Sequence, residues 1–159
     1  MDLQELLTVE PPRGMYPARL DDKGRLKLPA DFQQFFHTLR EKKLFVTTLD
    51  LRTAQIYPMA VWRHNEQFFD GYREDVKAAR KMAFRVMDLG AEAEMDPQGR
   101  VLFPPELRRT LEIENQPVRV YAYRGRIEVL SEPAYQKLKQ ESAEITDDDL
   151  ARLESAGLV

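Results

Sequence analysis

The chain has 159 residues, of which 43% are hydrophobic and 32% charged, enough apolar material for a packed core and too much for wholesale disorder. It has no cysteine, so thiol catalysis, disulfides and Cys-ligated metal sites are excluded, and with only two histidines we do not expect a multi-histidine metal site. No apolar run approaches the ~20 residues of a membrane span, and the acidic, interrupted start is unlike a secretory signal. We therefore expect a cytoplasmic protein without cofactor or small-molecule substrate.

The net charge of -3 is unevenly distributed along the chain. Residues 13–43 contain eight basic and four acidic residues, whereas residues 132–159 contain three basic and seven acidic ones. The basic residues of the first segment are Arg13, Arg19, Lys23, Arg25, Lys27, Arg40, Lys42 and Lys43. This distribution indicates either an ordinary solvated surface or a basic N-terminal module beside an acidic tail.

The chain contains an internal repeat at an offset of 75 residues. ARLDDKGRLKLPADF at 18–32 aligns with AEMDPQGRVLFPPEL at 93–107, and both contain Asp-x-x-Gly-Arg followed by two alternating apolar residues and a proline. The alternation predicts a strand on each side of a turn, and Gly24 and Gly99 supply the positive φ that reverses the chain. Asp21 and Asp96 open the two turns. We name residues 13–60 unit one and residues 89–133 unit two.

Further elements follow each turn in the same order. A short helix is predicted to bury Phe32, Phe35, Phe36 and Leu39 in unit one, and Leu107 and Leu111 in unit two. A hairpin and another helix come next in both units. Residues 61–88 connect the units, with one helix predicted over 70–87, and residues 134–159 form a C-terminal helix and an acidic tail. Thr146 and the following three aspartates predict a helix start, and Gly157 its end.

Neither unit is large enough to bury a core alone. Two units related by a pseudo-twofold axis and sharing strands would solve this. The repeat thus predicts a single compact, β-rich body built from two half-modules.

The doubled motif, together with the Trp62 helix after the first hairpin, resembles the MraZ family, whose members contain tandem SpoVT-AbrB domains of the swapped-hairpin type. The resemblance implies an α+β, β-rich fold of two pseudo-symmetric swapped-hairpin half-barrel units with peripheral helices. The resemblance covers roughly residues 13–140. It implies a nucleoid-associated, sequence-specific regulator that binds double-stranded DNA at division and cell-wall genes, including its own promoter. It also implies assembly into a ring, which we expect to contain more than four subunits. Residues 1–12 and the tail gain no role from the resemblance.

Candidate DNA contacts follow from the alternation in the first ribbon. Lys23, Arg25 and Lys27 project on one side if the chain is extended, and a basic β-ribbon can enter a major groove. Arg100 is the equivalent of Arg25 in a less basic ribbon, and Arg13 is a further candidate. The competing interpretation is that Asp21–Arg25 and Asp96–Arg100 are simple hairpin ion pairs.

Other candidate sites have simpler explanations. Trp62, Phe68 and Phe69 have the spacing of core residues rather than of base-stacking platforms, and His37 and His64 are isolated. The three aspartates 147–149 suit helix capping better than cation binding. No catalytic set stands out, so we expect no enzyme. Two alternatives remain open: a ring-forming scaffold for protein partners without specific DNA binding, and an antitoxin, which the doubled domain and short tail disfavour.

Overall fold

The structure is a computed structural model that describes residues 2–159. Residues 3–71, which include unit one and the start of the connecting segment, form α1 (Leu3–Leu7), β1 (Tyr16–Leu20), β2 (Arg25–Lys27), α2 (Ala30–Thr38), β3 (Leu44–Thr47), β4 (Thr53–Pro58) and α3 (Met59–Gly71). The remainder forms α4 (Val76–Leu89), β5 (Ala91–Ala93), β6 (Arg100–Leu102), α5 (Pro105–Leu111), β7 (Pro117–Tyr123), β8 (Arg126–Ser131), α6 (Glu132–Ser142) and α7 (Asp147–Ala156). Within residues 2–159, no helix is long and apolar enough to cross a membrane.

The strands of the two units interleave in one antiparallel sheet, as predicted. The order is β5-β3-β4-β8-β7-β1-β2-β6. Unit one's first strand, β1, pairs with β7 of unit two, and unit two's first strand, β5, pairs with β3 of unit one. Each unit therefore completes the sheet of the other, as the repeat predicted, and the α+β swapped-hairpin architecture implied by the family resemblance is confirmed.

The sheet forms a nearly closed barrel with one open position. In unit one, β1 pairs with β2, with Arg19 opposite Lys27. The equivalent strands of unit two, β5 and β6, are the two ends of the strand order and do not pair among the described residues. A groove of ≈ 660 Å³ lies there, lined by residues 91–94 of one edge and Leu102 of the other. We call this groove the seam.

The core lies inside this barrel and under the short helices. Leu26 of β2 and Val101 of β6 are fully buried, as are Phe32 of α2 and Leu107 of α5. The predicted apolar faces of α2 and α5 are confirmed, because every residue assigned to them is buried. Asp31 and Glu106 lie in the first turns of these helices, where a carboxylate interacts favourably with the helix dipole.

Two predictions about the connecting segment were wrong. The helix predicted over 70–87 is interrupted: α3 continues to Gly71, and α4 begins only after Asp75, whose side chain accepts a hydrogen bond from Ala78 N at 3.0 Å. Apolar spacing did not reveal this break, because Tyr72 lies between the two helices but has the spacing expected for the apolar face of one continuous helix. Phe68 is not a core residue either, since it is 54% exposed.

The N-terminal residues form a short helix that the sequence analysis did not predict. Asp2 and Glu5 form a reciprocal capping box, and Leu6 is buried in the core. Glu5 also forms an ion pair with Arg40 at 2.5 Å. The available signal was the Asp-x-x-Glu spacing before an apolar pair, which is typical of a helix start.

Candidate nucleic-acid interface

The turn of unit one is built around the Asp21 carboxylate. Its Oδ1 accepts hydrogen bonds from the backbone N–H groups of Lys23 and Arg25, each at 2.9 Å. Its Oδ2 accepts from Arg25 Nε at 2.8 Å. Gly24, with φ of 82°, occupies the left-handed region that this turn requires. The aspartate therefore both closes the turn and fixes the direction of the arginine side chain.

The turn of unit two repeats this geometry. Asp96 Oδ1 accepts from the backbone N–H groups of Gln98 and Arg100, each at 2.9 Å, and Oδ2 accepts from Arg100 Nε at 2.8 Å. Gly99 has φ of 78°. The two residues between the aspartate and the glycine differ between the units, yet the same hydrogen bonds form. The aspartate, glycine and arginine of the motif therefore specify the turn.

The hydrogen bonds at both turns favour ionised carboxylates. The Arg25 backbone N–H makes the largest contribution to lowering the pKa of Asp21, and the Arg25 side chain and Lys23 N–H lower it further, against a partial desolvation. For Asp96, desolvation acts to raise the pKa, but the backbone and side-chain hydrogen bonds from Arg100 outweigh it. The pKa of each carboxyl group therefore lies below its ordinary value, and both turns carry a negative charge that their arginine balances.

The two ribbons meet directly at the pseudo-twofold axis. β2 pairs with β6, and the pairing extends through hydrogen bonds from Leu28 N to Gly99 O and from Phe103 N to Gly24 O, each at 2.9 Å. Each glycine also lies under a side chain of the other unit. A Cβ on Gly24 would come within 1.6 Å of the Arg108 guanidinium, and one on Gly99 within 2.1 Å of Gln33.

The outer face of the paired ribbons is basic on the unit-one side. Leu26 and Val101 point inward and are fully buried, so the residues on either side of each point outward. In the ladder register, Arg19, Lys27 and Arg100 lie opposite one another across β1, β2 and β6. We call this set the cationic row.

The cationic row places like charges next to one another, which is unfavourable in the absence of an anion. Neither Arg19 nor Lys27 has a carboxylate partner within residues 2–159, and the same holds for Lys23 at the turn. Lys27 Nζ donates to Gln98 O, and Arg19 donates to Asn115 O at 2.8 Å, so both side chains are held in place by neutral acceptors. These contacts position the charges without neutralising them.

Arg25 and Arg100 differ in how much of the guanidinium remains free. In Arg100, the terminal Nη2 donates to Gln98 Oε1 at 3.0 Å in addition to the Nε contact with Asp96. Within residues 2–159, the Arg25 side chain makes a single hydrogen bond, from Nε to Asp21. Its two terminal nitrogens have no partner there. A guanidinium with both terminal nitrogens available can donate to two acceptors of guanine at once.

The structure separates Arg13 from the other predicted contacts. Arg13 precedes β1, whereas Asp21, Lys23 and Gly24 lie beyond its other end. Its side chain is exposed and lies 3.5 Å from Glu10, which supplies a local counter-charge. The ribbon thus brings together Arg25, Lys27 and Arg100, with Lys23 at the turn, but not Arg13.

Two residues of this interface were missed by the sequence analysis. Arg19 completes the cationic row, and its alternate spacing before Asp21 was the available signal. Arg108 of α5 donates from Nη1 to Phe103 O at 2.9 Å and to Lys23 O at 3.3 Å, so it positions the turn of unit one. The repeat places Gln33 at the position equivalent to Arg108, and Gln33 makes the equivalent hydrogen bond, to Leu28 O at 2.7 Å.

The aromatic candidates for base stacking pack in the protein instead. Trp62 is buried and stacks on Phe45 with ring centroids 4.4 Å apart, and Phe69 packs against Trp62 at 6.3 Å. His37 lies on α2 and His64 on α3. Both are exposed, and neither belongs to β2 or β6. The interface therefore consists of cations on a β-ribbon, without an aromatic platform from these residues.

The interleaved strands and the paired Asp-x-x-Gly-Arg turns define a tandem swapped-hairpin protein of the AbrB type. A family model described as "MraZ protein, putative antitoxin-like" matches residues 89–154. A "Transcriptional regulator MraZ" of Acidobacterium capsulatum is 36% identical over 146 residues, covering 92% of this chain and 99% of the relative. Proteins of the same name from Koribacter versatilis and Leuconostoc citreum are 33% and 34% identical, covering 92% and 85% of this chain and 99% and 91% of the relatives. The chain belongs to the MraZ family.

Proposed function

We propose that this protein is a sequence-specific DNA-binding transcriptional regulator, and that the ribbon face of β2 and β6 is its DNA contact. The observation that carries the proposal is the cationic row of Arg19, Lys27 and Arg100, which is held in place but has no neutralising carboxylate at two of its three positions. The names of the relatives, which describe transcriptional regulators, agree with it.

The residues take two different roles in the proposal. Arg25 reads base edges in the major groove through its free terminal nitrogens, and Asp21 holds it at the required angle. Lys23, Lys27 and Arg19 contact phosphates and fix the position of the ribbon, as does Arg100 on the other side of the axis. Arg13 contributes at most to the general field, because Glu10 lies beside it.

The net charge of -3 makes a single chain a weak DNA ligand. We propose that a closed ring of more than four subunits compensates for this, because several weak ribbons gain avidity on DNA that carries repeated short boxes. The expected operator consists of direct repeats at near-helical spacing upstream of the protein's own gene, within a division and cell-wall gene cluster.

The proposal is tested by fluorescence anisotropy at a stated salt concentration. Duplexes from upstream of the protein's own gene are compared with scrambled duplexes and with duplexes that retain one box, while light scattering gives the mass of the assembly. We expect specific binding that strengthens steeply with box number. Equal binding of specific and scrambled DNA would instead support the scaffold without specific DNA binding. Equal affinity for one box and several would contradict the avidity of a ring.

A further inference from the structure

The C-terminal helix α7 has an apolar edge that nothing in the described chain covers. Ile145, Leu150, Leu153 and Leu158 are each between 44% and 59% exposed, and none of the ten residues of α7 is buried. The helix is nevertheless well specified. Thr146 and Asp149 form a capping box, and Leu158 N donates to Leu153 O at 3.0 Å beyond Gly157.

These local signals alone give limited stability. Isolated helices of fewer than ~12–15 residues are marginal in water, and most helices in proteins are stabilised by packing of an apolar face. Ile145 before the cap and Leu150 four residues into the helix are placed as a hydrophobic staple, and Leu153 and Leu158 extend the same edge. The sequence therefore specifies a helix with a packing face and no partner for it within residues 2–159.

The connecting helix α4 carries a second uncovered apolar face. Ala79 and Val86 face the body and are buried, whereas Phe84 is 72% exposed and Met87 is 60% exposed. Val76 is also exposed, and at ~100° per residue these three side chains fall within an arc of about 80° beside the buried face. Exposed large apolar side chains that cluster in this way are typical of interaction sites.

The charges beside the two faces are opposite. On α4, Lys77, Arg80 and Lys81 are exposed and have no carboxylate partner in the described part of the chain. On α7, Asp147, Asp148 and Glu154 are exposed and have no cationic partner there. The faces therefore match in apolar character and complement each other in charge.

We propose that α7 of one copy of this chain packs on α4 of a second copy, with Leu150 and Leu153 against Phe84 and Met87. All four side chains remain exposed within one chain, so they do not cover each other there. The complementary charges beside the two faces make a second copy of the chain the fitting occupant. α7 spans ~15 Å and α4 ~21 Å, so α4 is long enough to receive the whole helix. The contact joins two different surfaces, and its repetition adds one copy after another until a ring closes.

The basic ribbon is a less suitable partner for α7. Its outward residues are cations apart from Leu102, which is the one large apolar side chain exposed on β2 and β6. A helix with an apolar edge of four residues would leave most of that edge in water on such a surface. The assignment to α4 rests on the proposed self-association but not on DNA binding.

Cysteine crosslinking tests the contact directly, because the natural chain has no cysteine. Phe84→Cys and Leu153→Cys are made in separate full-length chains, mixed, and oxidised. We expect the mixed disulfide dimer to form at least tenfold faster than either homodimer. Ser155→Cys, on the opposite side of α7, is the matched control and should crosslink to Phe84→Cys no faster than background. Equal rates for Leu153→Cys and Ser155→Cys would overturn the proposal.

A second set of variants separates this inference from the proposed function. Leu153→Asp should weaken self-association at least tenfold by light scattering and leave the thermal unfolding of the body unchanged, since α7 buries nothing in its own chain. Lys81→Glu should weaken it less, and Asp148→Lys in the same chain should restore it. An assembly of unchanged mass for Leu153→Asp would overturn the proposed contact between α7 and α4, but it would not contradict the proposed ring. If removing residues 144–159 instead strengthened DNA binding without changing mass, α7 would cover the ribbon and the assignment to α4 would be wrong.

Discussion

The two units of this protein share a backbone motif but differ in the surface that the motif presents. The Asp21 and Asp96 networks agree within 0.1 Å in their three hydrogen bonds. At the outward positions, Arg19 corresponds to Glu94, Lys23 to Gln98 and Lys27 to Leu102. The repeated aspartate, glycine and arginine therefore maintain the turn, and the positions between and beside them are free to acquire charge in one unit and lose it in the other.

The largest expected effect comes from comparing Arg25→Ala with Arg100→Ala. A specific contact of arginine with a base is worth about 1–3 kcal/mol, and in an assembly the loss is repeated in each bound subunit. We expect Arg25→Ala to abolish most specific binding and Arg100→Ala to reduce it less, because Gln98 already occupies one end of Arg100. Fluorescence anisotropy on specific and scrambled duplexes measures both.

Two controls accompany these variants. Arg25→Lys keeps the charge but not the two-pronged geometry, so it should lose discrimination more than affinity. Arg73→Ala removes an exposed cation at the connection between α3 and α4 and should change neither. The free energy of unfolding of Arg25→Ala should change by ~1 kcal/mol or less, because the ion pair with Asp21 is partly exposed and the backbone hydrogen bonds of the turn remain. If Arg25→Ala unfolds the protein while Arg100→Ala abolishes specific binding, then Arg25 is the structural residue and Arg100 the one that recognises DNA.

Substitution of the turn glycines tests whether the shared geometry has the same energetic importance in both units. Gly24→Ala and Gly99→Ala each force a side chain into a positive φ and displace Arg108 or Gln33. We expect each to lower the free energy of unfolding by about 1–3 kcal/mol, measured by urea titration. Gly71→Ala, which meets nothing within 4 Å, should be neutral or slightly stabilising. A neutral Gly24→Ala would show that this turn tolerates another geometry.

The difference in surface charge can be sharpened by moving a charge between the units. Lys27→Ala should weaken binding to all sequences and reduce the slope of log affinity against log salt by ~1, as for one phosphate contact. Leu102→Lys should have the opposite effect, because it gives β6 of unit two a cation at the position equivalent to Lys27. Salt titrations of the two variants and their combination measure this. An unchanged slope for Lys27→Ala would place the phosphate contacts elsewhere.

The smallest expected effect concerns the acid sensitivity of the turns. Because hydrogen bonds lower the pKa of Asp21 and Asp96 in the folded state, their ionised forms add stability above the unfolded pKa of ~3.9. That stability is lost as the pH falls through the lower folded pKa. Asp21→Asn and Asp96→Asn should therefore each flatten the fall in melting temperature as the pH drops below about 4.

The matched control for acid sensitivity is Asp22→Asn. The Asp22 carboxylate is exposed and accepts no hydrogen bond within residues 2–159, so its replacement should leave the slope unchanged. Equal flattening by all three variants would indicate a general effect of net charge rather than the hydrogen bonds of the turns.

The repeat made much of the fold predictable. Two copies of a motif too small to fold alone required shared strands, and buried residues such as Phe32 and Leu107 followed from helical spacing. The break between α3 and α4 was not predictable from apolar spacing, because Tyr72 and Val76 continue the stripe on both sides of it. There, the capping hydrogen bond from Ala78 N to Asp75 decides where the second helix begins.

The candidate interface was predictable only in part for a different reason. Alternation within one strand placed Lys23, Arg25 and Lys27 on the same side, but it contains no information about which strand lies beside which. The opposition of Lys27 to both Arg19 and Arg100 depends on the register of β2 with β1 and β6. The near-closure of the sheet, with its open seam in unit two alone, likewise depends on the three-dimensional register.

The interleaving of the strands also constrains how the protein folds during synthesis. β1 cannot complete its pairing until β7 has been made, because Arg19 lies opposite Pro117. At ~5–20 residues per second, the first hairpin therefore waits about 5–20 s on the ribosome beside an unfinished sheet. During that interval its exposed strand edges are open to the wrong partner, including the equivalent hairpin of a neighbouring nascent chain. Slow translation across residues 60–117 would thus be expected to increase misassembly more than slow translation after β8.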